Sequence, residues 1–289
     1  MAATTIQKSK NSINQRRLRK LMKNKLAMFG LILTLVIVLM CMCAPLLTDY
    51  DPTYMDMSLR YAEPSAEHPF GCDQGGRDVF ARILYGGRIS ILIGLACALA
   101  ANVLGAMLGC VAGYMGNKAD QVIMFIGEIV ACFPSTMLVL IVQGFSGQGV
   151  GIMMGVFILT GWVSTMRLTR SQILSVKQET FVESCRANGI GKVSIMFKHL
   201  LPNVMGPFIV NITMNVGGYV LSEAGLSFLG LGVPKGIPTW GNMLAAARSV
   251  TTMTDYPALW IVPGVAISLF VLGVNFFGDG LRDALDVSD

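Results

Sequence analysis

Charge is scarce in this chain. Asp, Glu, Lys and Arg together make up 13% of 289 residues, and there are only 2 histidines. A soluble domain of ordinary composition carries about 25% charged residues, so a fully water-facing surface is excluded. The motifs of common catalysts are missing as well. There is no His-Glu-x-x-His pair, no Gly-x-Ser-x-Gly elbow and no second histidine placed to assist a nucleophile, which argues against an intramembrane enzyme. A Gly-x4-Gly-Lys-Ser/Thr phosphate loop is also lacking, because Gly189-Ile190-Gly191-Lys192-Val193 misses that pattern at both ends. The 7 cysteines, at 41, 43, 72, 97, 110, 132 and 185, show no paired metal-ligand spacing and fall mostly in apolar runs, where free Cys packs as a small hydrophobe. Together with 19 scattered methionines they read as packing residues; Cys41-Met42-Cys43 leaves soft-metal cargo as the alternative.

What the chain has instead is long apolar runs, with 53% hydrophobic residues and a mean hydropathy of +0.61. The run 26–47 is long enough to cross a hydrocarbon core, which takes about 20 helical residues. It is longer than a signal-peptide core and is followed by Met42-Cys43-Ala44-Pro45 instead of a small-residue cleavage site, so it reads as a retained anchor. Further spans are expected near 88–112, 121–142, 150–166, 204–220 and 258–277. The predicted fold is an all-α, polytopic membrane protein with six transmembrane helices.

Charge segregation orients it. Lys8, Lys10, Arg16, Arg17, Arg19, Lys20, Lys23 and Lys25 crowd the segment 1–25, which holds no acid, whereas the loop 48–87 is rich in Asp and Glu. Cytoplasmic flanks carry the positive excess, so both termini are expected inside and 48–87 outside. The remainder, 88–289, is a core of five spans interrupted by an inward loop, 167–203, with six cations against Glu179 and Glu183. The net charge of +5 is explained by this segregation, without nucleic acid. Gly105, Gly109 and Gly113 form overlapping small-xxx-small steps on one face of the second span, where a neighbouring helix can approach. Pro134 and Pro263 mark kink positions in the third and sixth spans.

Within the inward loop, an amphipathic helix over about 179–188 puts Phe181, Val182 and Cys185 on one side. Glu183 and Arg186, three apart, are spaced to pair on another. Gly189 and Gly191 then free the backbone for a turn, Val193, Ile195, Met196 and Phe197 begin a second short helix, and Pro202 stands near the start of the fifth span. Such an element lies on lipid headgroups or against a protein partner.

Glu183-Ser184-Cys185-Arg186-Ala187-Asn188-Gly189, then nine residues, then His199-Leu200-Leu201-Pro202, resembles the Glu-Ala-Ala loop of ATP-binding-cassette importer permeases. Ser184-Cys185 stands where that loop has two alanines, and His199 where it has an apolar residue. Three further segments resemble the C-type subunit of the oligopeptide, dipeptide and nickel permease family. They are His68 to Ser90, with Cys72, Gly75 and Ala81 departing from the commonest residues; Glu223 to Val233 followed by Pro238-Thr239-Trp240-Gly241-Asn242; and Asn275 to Asp286, where Val287 replaces a frequent Pro.

The resemblance implies a permease subunit of an ATP-driven importer in a bacterial or archaeal cytoplasmic membrane. Glu183, Ser184, Cys185, Arg186, Ala187 and Gly189 would dock an ATPase, while His199, Leu201 and Pro202 would shape the coupling-helix loop. It also implies a homologous second permease, two ATPase subunits and an extracytoplasmic solute-binding protein, with ATP and Mg on the partner ATPases and neither cofactor nor metal on this chain. Peptides are the expected cargo; nickel or a metal chelate is the alternative within the same machinery, and a stand-alone channel or scaffold the alternative outside it. Glu128, Glu223 and Trp240 are the remaining candidates for pathway or interface. A charged group at a helix centre costs about 2.5–3.5 kcal/mol on insertion scales, so Glu128 is read as an inward-facing structural pair or a contact across the subunit interface, and Glu223 equally as a capping or packing residue.

Overall fold

The computed structural model describes residues 18–285. Most of the basic N-terminal segment, and Asp286 and Val287 of the third motif, lie outside the described residues. Within them no strand occurs, and the only bridge joins Cys72 to Asp78. Four helices are long and apolar enough to cross a membrane, and six spans result if each of two sharply bent helix pairs counts as one.

Helix α1, Lys25–Met42, is capped at its start by the Asn24 side chain, which accepts from the Ala27 amide at 3.2 Å. At its other end Arg88 donates to the carbonyls of Cys41, at 2.6 Å, and Met42, at 2.5 Å, fixing α1 to its neighbour. That neighbour is α2, Val79–Met115, whose 37 residues exceed the depth of a hydrocarbon core at about 1.5 Å per residue. It starts at Val79, upstream of the apolar run, because Asp78 caps it: Oδ1 accepts from the Ala81 amide at 2.6 Å.

The third expected span is two helices, α3, Asn117–Ala131, and α4, Ser135–Ser146, bent by 75°. Pro134 lacks an amide and disfavours helical backbone in Phe133 before it, so the kink becomes a break. Helix α5, Val150–Val176, runs well past the expected end near Met166. The short α6, Thr180–Ala187, is followed by turns over Lys192–Asn203, including one wide π-helical stretch, Ile195–Leu200. These bend by 68° into α7, Met205–Phe228. The short α8, Trp240–Leu244, precedes α9, Ala258–Leu285, which stays one element across Pro263.

The glycine steps position the central helices. A Cβ at Gly105 or Gly109 would collide with the carbonyl oxygens of Trp162 and Met166, and one at Gly113 would lie 2.9 Å from the Ile173 side chain. Helices α2 and α5 therefore pack backbone to backbone, as small residues permit in a membrane. The third motif does the same for α1: Gly280 abuts Ala27, and Gly30 abuts Phe276 and the Phe277 amide.

Candidate functional site

Two polar clusters lie at opposite ends of α2. At the end near Met115, the loop carrying α6 is built on a small apolar core of Cys110, Ile173, Val182, Ile195, Met196, Leu200 and Val204. Val182 supplies the buried side of α6, with Phe181 and Cys185 partly buried beside it. Glu183, Ser184, Arg186, Ala187 and Gly189 form the exposed side. Helix α6 ends in a Schellman motif: the Gly189 amide donates to the Arg186 carbonyl at 3.0 Å and the Ile190 amide to Cys185 at 3.1 Å. Gly189 has φ +74°, which L side chains rarely adopt.

The expected Glu183–Arg186 pair is not formed. Arg186 lies over the Tyr114 ring, 5.4 Å from its centroid, and Glu183 has no side-chain partner among the described residues. Lys177 donates to the Gly113 carbonyl at 3.0 Å, and the Cys110 thiol to the Met196 carbonyl at 3.5 Å, so the whole loop is tied to the last turns of α2. Arg170 donates through Nε and Nη2 to the two carboxylate oxygens of Asp120, at 2.5 and 2.6 Å, joining α5 to the start of α3. His199 is half-buried in the π-helical stretch, and its carbonyl accepts from Asn203 at 2.8 Å. Leu201 and Pro202 open the short turn Leu201–Asn203, with Pro202 exposed where its missing amide leaves no partner wanting.

At the other end, the first two motif segments meet. Glu223 has 0% exposed surface and accepts from three hydroxyls: Ser90 at 3.0 Å, Ser227 at 2.8 Å and Thr239 at 2.9 Å. Ser90 also accepts from the Trp240 amide at 3.2 Å, and the Trp240 indole donates to the Ile83 carbonyl at 2.9 Å. Glu223 and Trp240 are both buried within the chain, where they lock α7 and α8 onto α2, the packing role weighed for Glu223. Of the two readings of Glu128, the pair inside the chain is not formed: it is exposed on α3 with no side-chain partner among the described residues. The loop 48–87 is pinned by His68, whose Nδ1 lies 2.8 Å from Asp78 Oδ2. Folding brings ligand atoms of His68, Cys72 and Asp78 within 4.8 Å of one another, which no spacing announced. Both Asp78 oxygens are already engaged, one in the helix cap and one with His68.

Between the two ends lies a polar network that sequence reading missed. Asn102, with 0% exposure, accepts from Thr165 at 2.6 Å and Asn211 at 2.9 Å, tying α2, α5 and α7 together. An Asn inside an otherwise apolar run was its signal, because a buried amide in a membrane needs partners. Nearby, an open groove of about 340 Å³ runs past the α3–α4 break and is lined by Ser135, Thr160, Ser164, Arg167, Tyr219 and Ser222 among others. The outward faces of α1 and α2 elsewhere carry large apolar side chains such as Leu35, Leu39, Leu95 and Leu99.

Comparison with known proteins agrees with this architecture. Residues 105–287 match the family described as binding-protein-dependent transport system inner membrane component, and residues 12–64 match the N-terminal transmembrane domain of oligopeptide transport permease C. The chain is 39% identical to the dipeptide transport system permease protein DppC of Alkalihalophilus pseudofirmus over 93% of its own length and 88% of that protein. It is 36% identical to the oligopeptide transport system permease protein OppC of Bacillus subtilis, covering 98% and 92% of the two chains. A putative peptide permease protein of Brucella ovis is 37% identical over 94% and 90%. The chain belongs to the binding-protein-dependent transport system inner membrane component family, as a C-type permease subunit of the oligopeptide, dipeptide and nickel group of ABC importers, and is a transport component rather than an enzyme.

Proposed function

We propose that this chain and a second, homologous permease form the translocation pathway of a peptide importer, energised by two separate ATPase subunits that bind ATP and Mg and dock on α6. The observation that carries this reading is the mechanical continuity of α2. One end of that helix holds the α6 loop through Tyr114, Gly113 and Cys110; the other holds, through Ile83 and Ser90, a cap made of the loop 48–87 and the segment between α7 and α9. A displacement of α6 by a closing ATPase dimer therefore reaches the far end of the bundle through one rigid element, which suits rocking between inward and outward access. The exposed face of α6 presents the unpaired Glu183 carboxylate beside Ser184 and Ala187, small enough for close approach.

The groove containing Ser164, Thr160 and Ser222 is the pathway side. Hydroxyls serve a hydrated conduit for peptide backbones, whose amides are the same whatever their side chains. Glu128, exposed on α3, faces the second permease in this reading. The cap receives an extracytoplasmic solute-binding protein, and the α6 loop, with the termini, faces the cytoplasm. Uptake of a labelled small peptide and of radioactive nickel, compared in cells with and without the chain, tests the cargo. Loss of peptide uptake alone is expected; loss of nickel uptake alone would transfer the assignment to metal import.

A further inference from the structure

We propose that the cap contains a binding site for a small oxyanion, a carboxylate or phosphate group, held by Arg82 and Arg77 at its base and by Lys235 and Arg248 at its rim. A cavity of about 120 Å³ lies there between the 48–87 loop and the segment after α7. Four cationic side chains line it against a single carboxylate, Asp73, which leaves three positive charges without an acidic partner in the lining.

Asp73 has nothing left to give. Its Oδ1 accepts from the amides of Gly75, at 2.8 Å, and Arg77, at 3.1 Å, and its Oδ2 takes Arg77 Nε and Nη2, each at 2.8 Å. Arg82 is 3% exposed, yet its Nε stands 3.5 Å from that same crowded oxygen. Its one bond of good geometry among the described residues runs from Nη1 to the Pro52 carbonyl at 3.0 Å. Its remaining donors open on the cavity beside a second guanidinium, where a bound anion would pair with both cations.

The rim repeats the pattern. Lys235 and Arg248 form no ion pair among the described residues, and the Nε of Arg248 makes only a long 3.4 Å contact with the Ala245 carbonyl. The Thr252 side chain, 5% exposed, adds a neutral donor to the lining. A guanidinium fork matches the paired oxygens of carboxylate and phosphate. The volume accommodates such a group with waters, since one water needs only about 10–15 Å³ by the same kind of measure. The lining is the same whether or not peptide is the cargo.

The test uses the complete membrane complex, purified with its native partner subunits into phosphatidylcholine nanodiscs. Sodium phosphate and sodium acetate are titrated against chloride at constant ionic strength while the melting temperature is followed. A saturable rise with phosphate or acetate, absent with chloride, is expected. In the double variant Lys235→Gln, Arg248→Gln the apparent Kd weakens at least about tenfold, while the melting temperature in chloride stays at the wild-type value; Lys235→Gln alone gives an intermediate loss. Repeating the titration in phosphatidylglycerol nanodiscs separates the sources. A response that vanishes there identifies a lipid headgroup as occupant, and one that persists identifies a free solute anion. No saturable rise in the phosphatidylcholine discs, or an equal rise in wild type and double variant, overturns the proposal.

Discussion

Arg186 lays its guanidinium over the ring of Tyr114, 5.4 Å from the centroid, instead of pairing with Glu183 on its own helix. The contact crosses from α6 to the end of α2, so the cation fastens the loop to the bundle and the carboxylate is left for a partner. An i, i+3 pair on an exposed helix gains only about 0.2–0.5 kcal/mol, whereas a cation over an aromatic face gains roughly 0.5–1 kcal/mol at an exposed site. The tertiary contact wins once Tyr114 is in reach.

Close packing of α2 on α5 predicts a steric penalty at the glycine steps. In Gly109→Val the new side chain meets the Met166 carbonyl and the Thr169 side chain. Overpacking of this kind costs about 1–3 kcal/mol, and here one of the colliding groups is backbone. A lower melting temperature of the purified complex is expected, with Gly144→Ala, which faces open space, as the unaffected control.

Removing the acceptor at the centre of the cap should cost more than altering it. Glu223→Ala strands the hydroxyls of Ser90, Ser227 and Thr239 in a buried site, and an unsatisfied buried donor costs about 1–3 kcal/mol. Glu223→Gln keeps one acceptor oxygen and is expected to fall between wild type and Glu223→Ala in thermal melts. An Ala variant as stable as wild type would show that the lock does not hold the cap.

Much of this was legible in the sequence. The apolar runs announced the spans, the small-xxx-small steps announced a close helix neighbour for α2 without saying that it is α5, and the turn at Gly189 was read from the residue that alone adopts its φ without strain. The illegible parts depend on three-dimensional context. Pro134 signalled a kink, but not that Phe133 leaves the helix and turns the kink into a 75° break. Helix α2 extends to Val79 because a cap at Asp78, itself held by His68, outweighs the end of the apolar run. For Glu223 the sequence left pathway lining and packing open, because nothing local says that Ser90, far away in sequence, lies between it and Trp240.

The thiol of Cys72 gives a pH dependence. Burial first, then the charges of Asp78, Asp73 and Asp56, push it from 9.0 up to about 11. Below pH 9 the thiol is protonated in folded and unfolded chains alike. As pH rises from 9 towards 11 the unfolded chain loses the proton first, so the cap loses stability across that window, and Cys72→Ser removes this slope. Iodoacetamide at pH 8 should leave Cys72 unmodified in native membranes; ready alkylation there would contradict the burial.

The hydrated groove is tested by paired substitutions on a background in which the exposed native cysteines are replaced. Cys at Ser164, in the groove, should react with a membrane-impermeant maleimide applied to opened vesicles, while Cys at Leu99, on the apolar outer face of α2, should not. Equal protection of both would remove the groove from the pathway.

The most direct measurement of the central claim is site-directed cross-linking from α6. Ala187→Cys sits on the exposed face of that helix, and membranes from cells actively importing peptide are treated with a short thiol cross-linker against single-cysteine ATPase subunits. A specific adduct whose yield changes on adding ATP is the predicted result. No ATPase adduct in membranes that still import peptide would contradict docking on α6 and the account built on it.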